Sequence, residues 1–144
     1  MTIFYLSGHK SFNNKGCEAI VRSTTSLLKE YLPNAKFLVP SNNQEIDIEQ
    51  FDSYAKNGIY LVPYYTPKMS RLWVHCQKLA ILQSKEWPFS LNKNLKNLVS
   101  LSDAILAIGG DNYSLDYQLP SPILAVDQLG FKFNKPVYLW GASV

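Results

Sequence analysis

Five short apolar runs punctuate the chain, and none of them alternates polar with apolar residues. They are Ile3–Ser7, 36–39, 59–62, Ala104–Ile108 and Val137–Trp140. Runs of this kind suit strands buried on both faces, as in a parallel sheet covered by helices. Gly or Pro ends each of them: Gly8, Pro40, Pro63, Gly109-Gly110 and Gly141. Between them the period changes to that of a helix. Residues 17–31 carry Ile20, Thr24, Leu27, Leu28 and Tyr31 along one predicted face, and Pro33-Asn34 stops the pattern. Glu18 falls in the first turn, where the helix dipole favours an acid, and Arg22 lies four residues on, within pairing reach.

A long helix is predicted over 67–84, opened by Pro67, with Met69, Trp73, Cys76, Leu79, Ala80 and Gln83 on one side. Trp87-Pro88 breaks it. Ser90 then caps a further helix through Leu95, Leu98 and Leu101. Ser121-Pro122 opens the last helix, along which lie Ile123, Val126, Asp127, Leu129 and Gly130, and Asn134-Lys135-Pro136 is a turn. The polar stretch 41–49 has no clear period, and Ile46, Ile48 and Phe51 are expected to pin it down.

Strand and helix therefore alternate, which predicts an α/β, Rossmann-like doubly wound parallel sheet of about five strands. Right-handed crossovers make 3-2-1-4-5 the simplest strand order. The order then reverses between the first and fourth strands. Asn14-Lys15-Gly16 and Gly109-Gly110-Asp111 are expected to meet there, at the carboxyl edge where open α/β sheets bind ligands.

The 144 residues are the size of one domain, 1–144, and 47% of them are hydrophobic, enough to fill a core. The net charge is only +3, with no dense Lys/Arg block, so no nucleic-acid footprint is predicted. No apolar run approaches the length of a membrane span, and Met1 to Leu6 lacks the form of a signal peptide. Cys17 and Cys76 lack metal-type spacing; as buried small residues in a reducing compartment they suggest a cytoplasmic location. The final strand is followed by only four residues, which suggests a piece of a longer protein.

The stretch 103–114, D-A-I-L-A-I-G-G-D-N-Y-S, offers the strongest candidate site. Its glycines permit positive φ and close approach to the main chain, and Asp111, Asn112 and Tyr113 place polar tips at the strand's carboxyl end. The same residues also suit a plain turn with Asp or Asn capping the next helix. The segment 13–18 either holds an anion on free N–H groups or is a tight strand–helix turn with local Asn hydrogen bonds. It lacks the glycines of a P-loop or a dinucleotide fingerprint. His9 near the crevice suits acid, base or substrate contact, or no chemical role. Tyr64, Tyr65 and Tyr113 suit stacking on sugar rings or the edge of the core. Arg71 is within reach of an anion or simply solvated. His75 reads as structural. Asp111 and Asp116 carry no spacing that fixes acid–base geometry.

Three ordered motifs then stand out. Asn14-Lys15-Gly16-Cys17-Glu18-Ala19-Ile20 resembles the N-x-G-D-E-A-I signature of the polysaccharide pyruvyl transferase family. Ser102 to Asp111, S-D-A-I-L-A-I-G-G-D, resembles that family's S-D-x-hydrophobic-G-G-D/G stretch, and Lys135 to Val144 resembles its K-P-hydrophobic-A-x-G landmark. One position departs: Cys17 stands where the family often has an acid, so that role falls to Glu18 or is lost.

The resemblance implies the N-terminal half of a two-domain protein of GT-B type, with a C-terminal domain absent from this chain and the fragment alone inactive. It implies transfer of a pyruvyl group from phosphoenolpyruvate, as donor substrate and with no cofactor, to a hydroxyl pair of a surface or exported polysaccharide. Asn14, Gly16, Glu18, Gly109, Gly110, Asp111, Asn112 and Tyr113 would line the substrate cleft, with catalytic groups in the other half and no metal. Homo-oligomerisation and membrane-surface association through a lipid-linked acceptor are compatible with it. Two other functions fit the same architecture: a sugar-nucleotide glycosyltransferase domain, and a non-catalytic carbohydrate-binding or assembly domain.

Overall fold

A strand at Ile3–Ser7 (β1) occupies the middle of a five-stranded, all-parallel sheet. The computed structural model describes residues 1–49, 57–67, 87, 89–109 and 122–141. Its elements are β1, α1 (Lys15–Tyr31), β2 (Lys36–Ser41), α2 (Gln44–Glu49), β3 (Ile59–Pro63), α3 (Lys93–Leu101), β4 (Ala104–Ile108), α4 (Pro122–Lys132) and β5 (Val137–Trp140). The strand order is β3-β2-β1-β4-β5, the predicted 3-2-1-4-5. The long helix predicted over 67–84, with Arg71, His75 and Cys76, lies outside the described residues except at Pro67.

In β1, β2 and β4 the unbroken apolar runs are explained by burial on both faces, whereas the edge strands β3 and β5 leave Tyr60, Tyr138 and Leu139 exposed, against the expectation for all five. Phe4 and Leu6 of β1, Phe37 and Val39 of β2, and Ala104, Leu106 and Ile108 of β4 pack on one side with Val21 of α1. Tyr5 and Ile105 point the other way, against Leu95 and Val99 of α3 and Val126 and Leu129 of α4. Each large apolar side chain so enclosed contributes about 1.5–3 kcal/mol.

At Gly130 the helix α4 comes close to the sheet. A Cβ there would collide with Ile105 Cδ1 and stand 3.0 Å from Val137 Cγ2. At the amino edge, Asp103 closes β1 against β4. Its carboxylate accepts the Ile3 N–H at 2.8 Å, and its own N–H donates to the Ile3 carbonyl at 2.7 Å. The S-D of the second motif is thus a clamp at the end of the sheet remote from the glycines.

Four local expectations are corrected. The buried face of α1 is Val21, Thr24 and Thr25, with Ile20 and Leu28 partly buried, whereas Leu27 and Tyr31 are exposed. Strand β2 runs on through Pro40 to Ser41, pairing with β3 as Pro40↔Val62 and Ser41↔Pro63. Pro40 is tolerated because the recorded β1–β2 register stops at Tyr5↔Leu38. The polar stretch contains helix α2, in which Ile46 and Ile48 are exposed and Asp47 is fully buried. Finally, α3 is capped by Asn92, whose Oδ1 accepts the Asn94 N–H at 2.7 Å, not by Ser90.

Candidate functional site

Parallel registry sets the geometry of the candidate site. Ser7 of β1 is level with Ala107 of β4, so the two chains leave the sheet side by side. The connection from β1 goes toward β2 and that from β4 toward β5, which makes this gap the point where the order reverses. Both strands exit through a glycine in the left-handed region, Gly8 at φ 91° and Gly109 at φ 123°. Side chains rarely adopt these angles, so glycine is required at both exits.

The loop after β1 is held down by a buried carboxylate. Asp47 Oδ1 accepts the Ser11 hydroxyl at 3.1 Å and the Phe12 N–H at 3.0 Å, while Oδ2 accepts the Ser41 hydroxyl at 2.6 Å. Phe12 is thereby seated in the core with no exposed surface. His9 adds a second fastening. Its ring is 1% exposed, stacks obliquely on Phe12 at 4.7 Å, and donates from Nδ1 to the Pro40 carbonyl at 2.7 Å. Burial pushes its pKa below the ordinary histidine value, against the opposing pull of the Pro40 hydrogen bond and of the Asp47 charge. The imidazole is a neutral fastening of the loop to β2 and not an exposed acid or base. Ser7, at the end of β1, donates to Asp127 of α4 at 3.4 Å, both residues buried.

Asn14 caps α1, which begins at Lys15, two residues before the predicted start. Its Oδ1 accepts the Gly16 N–H at 2.9 Å and the Cys17 N–H at 3.3 Å. Two of the N–H groups that would attract an anion at this helix end are therefore already satisfied. A Cβ at Gly16 would lie 3.1 Å from the capping oxygen, a tight contact. Glu18 is gripped by Lys15 at 2.9 Å and by Arg22 at 2.7 Å. The hydrogen bonds from Lys15 and then Arg22 hold its carboxyl below the usual carboxylate range. It is an ionised link between two cations, as the spacing to Arg22 anticipated. Cys17 is a partly buried free thiol.

Of the predicted site residues, Asn14, Gly16 and Glu18 gather at the start of α1, and Gly109 lies at the end of β4 beside the β1 exit. Gly110, Asp111, Asn112 and Tyr113 lie outside the described residues, as does Asp116. Tyr64 and Tyr65 stand at the carboxyl end of β3. Lys10 Nζ lies 5.8 Å from the Tyr64 ring centroid, and Asn94 Nδ2 donates to the Tyr65 hydroxyl at 3.2 Å. Asp47 was missed by sequence reasoning because an acid in a polar stretch resembles a solvated one. The available signal was the pair of hydroxyl residues, Ser11 in the loop after β1 and Ser41 at the end of the neighbouring β2.

Among the described residues no group of three His, Cys, Asp or Glu is placed to hold a metal ion, and no helix is long and apolar enough to cross a membrane. The fold defines a doubly wound α/β protein whose switch point, the place where open α/β sheets bind ligands, lies between β1 and β4. The family model for polysaccharide pyruvyl transferase matches residues 14–144, from the cap of α1 onward, and the chain belongs to that family. Searches of curated proteins and of solved structures returned no match. The family is one of transferases, so the fold here is that of a transferase-like protein.

Proposed function

We propose that this chain contributes one wall of a pocket in which a pyruvyl group passes from phosphoenolpyruvate to a polysaccharide. The observation that carries this reading is the paired exit of β1 and β4 through Gly8 and Gly109 at the reversal of strand order, in a chain of this family. Asn14, Gly16 and Glu18 on one side and Gly109, Gly110, Asp111, Asn112 and Tyr113 on the other line the crevice. The glycines admit the substrate to the main chain, Asp111 and Asn112 bind acceptor hydroxyls, and Tyr113 shapes the pocket. In the two-domain arrangement implied by the resemblance, a second domain closes over this edge.

The chemistry is a ketal formation. One sugar hydroxyl adds to the enol carbon while its proton passes to the methylene carbon, making a methyl group. A second hydroxyl of the same sugar then displaces phosphate, which leaves with the remaining proton. Donor and leaving group are anionic throughout, so the site needs fixed cations or oriented N–H groups aimed at them. Phosphoenolpyruvate as donor fits a cytoplasmic protein that needs no organic cofactor.

Incubation of this chain, joined to the C-terminal domain that the resemblance implies, with labelled phosphoenolpyruvate and a panel of polysaccharide acceptors tests this. The expected result is label in the glycan together with released phosphate, lost by at least about a hundredfold in Asp111→Ala, in line with removal of a charged hydrogen-bond partner of the acceptor. Incorporation of a labelled sugar from a sugar nucleotide, with none from phosphoenolpyruvate, would overturn the reading. So would glycan binding without any transfer.

A further inference from the structure

Away from the switch point, but on the same edge of the sheet, lies a second concavity. It has a volume of about 290 Å³ and is lined by Tyr64, Tyr65, Thr66, Ser90, Leu91 and Asn92. The first three follow β3 directly, and Asn92 caps α3, so the cavity sits where the chain leaves β3 and enters α3. We propose that it is a subsite for a neutral pyranose ring, a neighbouring sugar of the acceptor glycan whose reacting unit lies between β1 and β4.

The lining matches that ligand. Two phenol rings offer flat apolar faces to the C–H face of a sugar, while hydroxyls and a carboxamide surround them. The six lining residues carry no charge, although Lys10 Nζ stands 5.8 Å from the Tyr64 ring centroid; a lining of hydroxyls and a carboxamide suits a polyhydroxylated and uncharged group better than a phosphate or a carboxylate. The volume is at the small end for ligand pockets, suiting one ring rather than a nucleotide.

The walls are also preset. The Tyr64 N–H donates to the Ser41 carbonyl at 2.9 Å, extending the β2–β3 pairing by one residue. Asn94 fixes the Tyr65 hydroxyl, and the Asn92 cap fixes Asn94. Tyr65 and Leu91 pack against the core cluster that includes Tyr5 and Leu95. Burial pushes the Tyr64 phenol above its ordinary pKa, so it stays a neutral O–H donor across the working range. Two strand spacings, about 10 Å, separate β3 from β1, a distance along the sheet edge that an oligosaccharide spans.

This subsite rests on the carbohydrate reading above, and its test separates the two. Saturation-transfer NMR would be run on the intact protein with methyl β-glucopyranoside, methyl β-galactopyranoside and methyl α-mannopyranoside as probes. Ring-proton signals are expected from at least one glycoside, falling about fivefold or more in Tyr65→Ala and in Thr66→Arg. Thr66 is exposed, so Thr66→Arg obstructs the mouth without disturbing the core and decides the matter if Tyr65→Ala fails to fold. No signal from any glycoside, or equal signals in folded variants, would overturn the subsite. Pyruvyl transfer with an unchanged acceptor KM in Tyr65→Ala would remove the subsite and leave the transferase reading standing. Glycoside binding that is lost in the variants of a protein transferring no pyruvate would do the reverse.

Discussion

Replacing Asp47 by alanine is expected to lower unfolding stability by about 3–5 kcal/mol, because a buried acceptor of several hydrogen bonds is removed at once. The Phe12 N–H and the hydroxyls of Ser11 and Ser41 would each lose the partner that Asp47 provides. All three lie at or near the carboxyl edge, so the loss falls on the loop after β1 as well as on α2. Asp47→Asn retains an oxygen for Ser11 and Phe12 and turns a donor toward the Ser41 hydroxyl, which can accept. Its cost is expected to be about half as large. Urea denaturation of both variants measures this. A fall of less than about 1 kcal/mol in Asp47→Ala, the worth of a single ordinary hydrogen bond, would show that the carboxylate does not hold the loop.

Gly130→Val is the second large effect. The helix α4 approaches β4 and β5 so closely that a side chain at this position meets Ile105, fully buried, and Val137. Ile105 is enclosed on every side and Val137 is partly buried, so overpacking is expected to cost about 3 kcal/mol. Gly130→Ala is expected to be milder, since better helix propensity returns up to about 1 kcal/mol. Thermal melting should rank the wild type first, then Ala, then Val. A Val variant melting with the wild type would mean that α4 stands farther from the sheet.

The parallel sheet was legible because its central strands are buried on both faces: Ile3–Ser7 and Ala104–Ile108 show it as unbroken apolar runs with sharp ends. The edge strand Val137–Trp140 is apolar too, yet leaves Tyr138 and Leu139 exposed. Helix faces were harder. Residues 20–31 contain two overlapping stripes at helical spacing, and only packing against the sheet selects Val21, Thr24 and Thr25 over Leu27 and Tyr31. Caps were ambiguous for a related reason. Ser90 and Asn92 are both good cap residues, and the side chain that reaches the helix N–H groups is decided by the path of the chain.

At the candidate site, the neighbourhood of the two glycine exits followed from strand order alone. The roles of His9 and Asp47 did not, because both depend on burial between elements far apart in sequence. The local hydrogen bonds of Asn14 and the pairing of Glu18 with Arg22 were legible from spacing, whereas the second cation on Glu18, Lys15, was not.

The central claim is that the turns following β1 and β4 form a single pocket. Hydrogen–deuterium exchange with and without phosphoenolpyruvate tests it most directly, because backbone amides in each turn report separately. Slower exchange is predicted in both the 8–14 peptide and the peptide beginning at Gly109, at the same ligand concentration. Protection confined to one of the two, or found only elsewhere in the chain, would contradict it.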